Sequence, residues 1–89
     1  MRRCVLKGPF ESVEQVYADL ARQLGLAAHF GANLDALWDA LLRDVPGPIE
    51  IVWRDFDKDK ASLGAAADRI RATLEEAAAE RRDLHVKLA

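Results

Sequence analysis

Three short stretches of strand character, residues 3–7, 49–53 and 84–88, are separated by 41 and 30 residues. Gaps of that length exclude hairpins. If these stretches share one sheet, each connection has to be a crossover, and crossovers of this length join parallel strands with right-handed chirality. The first stretch is ended by Gly8-Pro9, a strong turn signal. The second is apolar except for Glu50, the pattern of a largely buried strand. In the third, Leu84, Val86 and Leu88 alternate with His85 and Lys87, which predicts a strand with one wet face at or near an edge.

The connections carry helical periodicity. Ser12, with Gln15 three residues later, forms a capping-box signature; Val13, Val16, Tyr17, Leu20 and Leu24 follow on one face, and Gly25 is placed to end the helix with Leu26 folding back over its last turn. Asn33 caps a second helix, predicted to run to about residue 43, with Leu34, Leu37, Trp38 and Leu41 facing inward. Val45-Pro46-Gly47-Pro48 must break it. Residues 54–60 read as a charged connection around Phe56, with room for a short helical turn. A third helix is expected from a Ser62 cap to about residue 81, aligning Leu63, Ala67, Ile70, Leu74 and Ala77 or Ala78. The order is β-α-α-β-α-β, an α/β fold with a three-stranded parallel sheet. Three short strands cannot easily support helices on two faces, so the helices are expected mainly on one.

No repeat or linker divides the chain, and 89 residues make one domain, 1–89. A domain of this size buries only about 60–65% of its unfolded surface, which disfavours a deep active site. Cys4 is the only cysteine, so neither an internal disulfide nor a cysteine-rich zinc site can form, a composition that suits a reducing compartment. Lys7 interrupts the apolar run after the basic start, and no stretch approaches the roughly 18 apolar residues of a membrane span. The expectation is a cytoplasmic protein with no membrane partner.

The net charge of −2 conceals an asymmetry. Residues 33–57 hold six acids and two bases, a local charge of −4, while the remainder carries +2. An acidic middle argues against direct nucleic-acid binding and for a cationic protein surface, although an ordinary solvated face has the same composition. Asp35 and Asp39 lie one turn apart on the polar side of the second helix. Asp35 gains from the helix dipole; Asp39 gains less, and Arg43 one turn later could partly offset its charge. Paired carboxylates near His29 also raise the possibility of a small acid–base hydrolase. Such catalysis needs carboxylates whose environments separate their pKa values, usually in a dry pocket, and this chain has little with which to build one. His29 with two aspartates matches no metal-ligand spacing, the five glycines form no phosphate loop, and no cofactor is implied.

The run Phe30-Gly31-Ala32-Asn33-Leu34-Asp35-Ala36-Leu37-Trp38-Asp39-Ala40-Leu41, followed by Pro48, Trp53-Arg54 and Phe56, resembles the barstar family, intracellular inhibitors of the bacterial ribonuclease barnase. The resemblance spans essentially the whole chain. It implies a proteinaceous ribonuclease inhibitor or immunity protein without catalysis of its own, monomeric when free, whose second helix and preceding loop plug the nuclease active site. Asp39 then stands where a substrate phosphate would bind, Asp35 occupies a contact position, and Glu76 and the more peripheral Glu80 extend the acidic patch from the long helix. Gly31 and Asn33 belong to the approaching loop, and Trp38 serves both core and interface rim. Where the family has aromatic contacts, this chain has His29 and Asp44, and Arg43 replaces a small residue. Those departures imply a rim retuned for another nuclease or, on the alternative reading, for a non-nuclease protein partner. The family's two cysteines are replaced by Ala40 and Arg82, and the bond at Gly47-Pro48 falls where the family can carry a cis proline.

Overall fold

The computed structural model describes residues 2–26 and 31–89. Its elements are β1 (Arg2–Leu6), α1 (Val13–Leu24), α2 (Leu34–Asp39) continuing through a π-wound turn (Ala40–Asp44), β2 (Ile49–Trp53), α3 (Phe56–Leu63), α4 (Ala65–Glu80) and β3 (Leu84–Leu88). The three strands pair in parallel in the order β1-β2-β3. Their register stacks Cys4, Ile51 and Val86 in one row and Leu6, Trp53 and Leu88 in another. Cys4, Leu6, Ile49, Ile51, Trp53 and Leu84 are buried beneath the helices. The opposite face presents Arg3, Val5, Glu50, Val52, His85 and Lys87, all exposed or half-buried, with Arg3 Nε 2.9 Å from Glu50 Oε1. One face is therefore packed and the other wet, as three short strands require. Burial along β3 fades from Leu84 to Leu88, as expected for an edge strand.

The edge of β1 is closed by a side chain. Gln23 of α1 accepts from the Val5 N–H at 3.0 Å and donates to the Val5 carbonyl at 2.8 Å, occupying the backbone groups that a further strand would pair with. At the helix starts, Ser12 accepts from the Gln15 N–H, while the Gln15 side chain reaches back to Glu11 N–H, one residue earlier than a standard capping box. Gly25, at φ 68°, ends α1 in the left-handed conformation, and Leu26 N–H returns to the Ala21 carbonyl. Gly8-Pro9 and Gly47-Pro48 are both cis.

Two expectations need correcting. Residues 56–63 form a full helix, giving the order β-α-α-β-α-α-β, and Ser62 lies inside that helix rather than capping the next. Gly64, at φ 68° and ψ −146°, separates α3 from α4, and Leu63 belongs to α3. The inward positions of α3 are Phe56, Asp59 and half-buried Leu63, a helical spacing. Its periodicity is invisible to a count of apolar residues because the middle member is a carboxylate.

Asp59 is 1% exposed and fully satisfied: Oδ1 accepts from the Phe10 N–H at 3.0 Å and Oδ2 from the Trp53 indole N–H at 2.8 Å. Trp53 is flanked edge-on by Phe10 and Phe56, so this carboxylate joins the β1–α1 loop, β2 and α3 at one point. Gly8 makes room for it, since a Cβ there would press on both carboxylate oxygens.

Cys4 is also buried, and desolvation, reinforced by nearby Asp19, pushes its thiol up to about 12 from an ordinary value of 9.0. The folded chain therefore keeps the thiol protonated where the unfolded chain begins to lose its proton. Dithionitrobenzoate at pH 8 is expected to label the folded protein orders of magnitude more slowly than the urea-unfolded chain. The stability contribution is complete below pH 9 and is lost as pH climbs toward 12. Urea midpoints measured from pH 8 to 11 should fall more steeply for the parent than for Cys4→Ala.

Candidate functional site

The loop leading into α2 is held by Asn33. Its Oδ1 accepts from the Ala36 N–H at 2.8 Å, capping the helix, and its Nδ2 donates to the Gly31 carbonyl at 2.9 Å. One amide thereby spans Ala32, whose φ of 40° is a left-handed conformation that a residue with a Cβ rarely adopts. Gly31 sits close to the cap: a Cβ there would lie 3.3 Å from both Ala36 Cβ and Asn33 Nδ2, a tight contact that a small shift of either side chain would relieve. His29 lies outside the described residues.

Beyond this cap, Leu37 is buried, Leu34 and Trp38 are half-buried against the core, and Asp35 and Asp39 point to solvent. Trp38 thus has the core contact that its spacing suggests and a portion left exposed. The helix continues to the length expected, but its last turn is π-wound, with the Val45 N–H bonding to the Ala40 carbonyl five residues back. The wider turn buries Ala40, Leu41 and Val45 together and leaves Arg43 and Asp44 exposed. Asp39 and Arg43 make no ion pair.

The wider turn frees the Leu41 carbonyl, which in an α-helix would accept from Val45. Arg81, at the end of α4, takes its place: Nη1 donates to the carbonyls of Leu41 and Val45, both at 2.7 Å. Its Nε and Nη2 hold the two carboxylate oxygens of Asp83 at 2.9 Å, and that guanidinium keeps the Asp83 carboxyl below its usual range. Gly47 closes over the pair, since a Cβ there would run into Asp83 Oδ2 and Arg81 Nη2. Sequence reasoning missed Arg81. An arginine just past a helix end is common, and its reach to carbonyls 36 and 40 residues away leaves no local pattern.

α2 packs against α4, whose outer side exposes Glu76 and Glu80. Among the described residues, Asp35, Asp39, Asp44, Glu76 and Glu80 are all exposed and none is in an ion pair. Elsewhere five acids pair, Asp19 with Arg22, Asp68 with Lys60 and Arg71, Glu75 with Arg71, Glu50 with Arg3 and Asp83 with Arg81, while Glu11, Glu14, Asp55 and Asp57 are exposed without an ion pair. Asp35 and Asp39 stand in water, unlike the desolvated pair that acid–base catalysis uses. Among the described residues no group of three or more His, Cys, Asp or Glu side chains could hold a metal, and no helix is long and apolar enough to cross a membrane.

A capped helix with unneutralised acids, set on a three-stranded parallel sheet, is the arrangement that the tract from Phe30 to Leu41 suggests. The family model described as "Barstar (barnase inhibitor)" matches residues 2–89. The chain belongs to the barstar family. It is also similar to a Bacillus subtilis (strain 168) protein named "Putative ribonuclease inhibitor YrdF", with 36% identity over 84 residues covering 93% of this chain and 92% of that protein. A barstar-type inhibitor of ribonuclease is thus the general description that the family match and the relative's name support.

Proposed function

We propose that this chain blocks the active site of a basic, barnase-like ribonuclease with α2 and the loop before it, Asp39 standing in for a substrate phosphate. The observation that carries this reading is the set of exposed acids on α2, its π turn and the adjoining α4, Asp35, Asp39, Asp44, Glu76 and Glu80, none of them in an ion pair among the described residues. A ribonuclease gathers arginine, lysine and histidine around the scissile phosphate, and a carboxylate fixed on a capped helix competes for the same field. Asp35 contacts the enzyme beside it, Glu76 and Glu80 extend the negative surface, and Gly31, Asn33 and Trp38 shape the approaching loop and rim. Inhibition needs no chemistry from this chain. It acts as an immunity protein or antitoxin in the cytoplasm of the cell that makes the nuclease, and it is a monomer until it binds.

His29, Arg43 and Asp44 set the choice of enzyme. Loss of two rim aromatics removes the side chains that most often dominate interface energy, and an exposed Arg43 opposes a cationic surface. The expected partner is therefore a nuclease whose rim carries an acid opposite Arg43. The same residues favour the second reading, a barstar-like module bound to a non-nuclease protein. Titration against a panel of barnase-like ribonucleases separates the two. Saturable inhibition of at least one member is expected, with an association rate that falls at least tenfold from low to physiological salt as steering is screened. Binding to none of them, at low salt and micromolar protein, would rule out the inhibitor reading.

A further inference from the structure

We infer that Arg81 is a positioning residue for the inhibitory face, fixing the π-wound end of α2 and thereby the directions of Asp39 and Asp44. The inference rests on the inhibitor reading for its consequence and on the hydrogen bonds of Arg81 for its mechanism. A π turn leaves carbonyls without their α-helical donors, and a helix end in that state frays unless another group supplies them. Arg81 supplies two N–H bonds from one nitrogen, to Leu41 and Val45, at 2.7 Å each. Its remaining contacts are not spent in water: Asp83 grips Nε and Nη2 in a bidentate fork, so the guanidinium plane is set before it reaches the carbonyls. Asp83 in turn is tied to the sheet, because its carbonyl accepts from the Ile49 N–H at 2.8 Å. The end of α2 is thus referenced to β2 and to the end of α4, the helix that carries Glu76 and Glu80. The packing of α2 against α4 is supplemented, at the π-wound end, by one side chain that bonds the cap of α4 to the carbonyls of that turn.

The guanidinium side chain is only 15% exposed, so it is unsuited to contacting a partner and acts through α2. Lysine could not replace it, since an ammonium cannot grip Asp83 bidentately and also reach both carbonyls in one plane.

The test combines amide exchange of the free protein with a binding cycle. In Arg81→Met, exchange at Val45 and Asp44 is expected to accelerate at least tenfold relative to α1, and inhibition of the tightest-bound member of the ribonuclease panel to weaken at least tenfold. The penalty of Asp39→Ala is expected to shrink at least threefold in the Arg81→Met background, although the two side chains do not touch. Arg81→Lys should restore neither protection nor inhibition. Should Arg81→Met fail to fold, Asp83→Asn keeps the guanidinium while weakening its fork, and a smaller loss at the same amides is expected. Uniform acceleration across all helices with strictly additive binding losses would make Arg81 a general stabiliser and overturn the inference, as would unchanged protection at Val45. If no ribonuclease in the panel is inhibited, the inhibitor reading falls, while exchange at Val45 still decides whether Arg81 orders α2.

Discussion

Asp39→Ala is expected to weaken inhibition by about 2–5 kcal/mol, roughly 30- to several-thousand-fold in the inhibition constant. That range is the general cost of truncating one partner of a buried, hydrogen-bonded charge pair at an interface, a class for which barnase with barstar is the standard worked case. The direction follows from the site. In the free protein Asp39 is exposed, accepts no side-chain or backbone donor among the described residues and has no ion pair, so its removal changes stability by no more than about 0.5 kcal/mol. In the complex the same carboxylate is desolvated among cations assembled for phosphate, and removing it leaves them buried and uncompensated. The loss should appear mainly as faster dissociation, because steering depends on the whole acidic face and survives one substitution. Asp39→Asn keeps the shape and loses the charge, and is expected to fall between alanine and the parent. Asp35→Ala should cost less, the contact lying one turn away. Stopped-flow association and dissociation against the panel enzyme measure both rates. An inhibition constant within threefold of the parent would remove Asp39 from the phosphate position.

Much of this face is legible in the amino-acid sequence, for local reasons. Asn33 declares itself as a cap, Asp35 and Asp39 as neighbours one turn apart, and Gly25 as a helix end, because each depends on residues within four positions. The strands are legible through their spacing, which admits only crossovers. What stays hidden depends on distant partners or on a residue of the wrong polarity in the right place. α3 is concealed by Asp59, a carboxylate where periodicity calls for an apolar side chain. The break at Gly64 is concealed by Leu63 and Ala67, four residues apart, which read as one continuous face across it. The π turn is concealed because Ala40, Leu41 and Val45 fit an α-helical face nearly as well, and the carbonyls it frees are satisfied by Arg81 from the far end of the chain. The offset expected from Arg43 takes no ion-paired form at Asp39, a detail of two exposed side chains that spacing alone does not decide.

Asp59→Ala should reverse the pattern of Asp39→Ala, leaving affinity alone and lowering stability by about 2–5 kcal/mol. Asp59 touches no residue of the proposed interface; it holds the Phe10 N–H and the Trp53 indole N–H, both buried, and its removal orphans two donors at once. A domain of this length has roughly 5–13 kcal/mol in hand, so the transition should move down by about 10–30 °C. Burial of a carboxylate also has a desolvation cost, and the apolar packing of Trp53 between Phe10 and Phe56 would remain in the variant. The decision between these effects is quantitative. Two bonds to buried donors outweigh the relief of desolvation, because truncation to alanine orphans both donors and leaves the space of the carboxylate unfilled. A double-mutant cycle isolates the indole bond: in a Trp53→Phe background Asp59→Ala is expected to cost at least 1 kcal/mol less, since one of the two donors is already gone. Urea unfolding followed by circular dichroism supplies all four corners of the cycle, and a loss below 1 kcal/mol for Asp59→Ala alone would show that the carboxylate is merely tolerated. At temperatures where the variant stays folded, its inhibition constant should match the parent's, because the fold that Asp59 secures and the charge that Asp39 presents are carried by separate contacts.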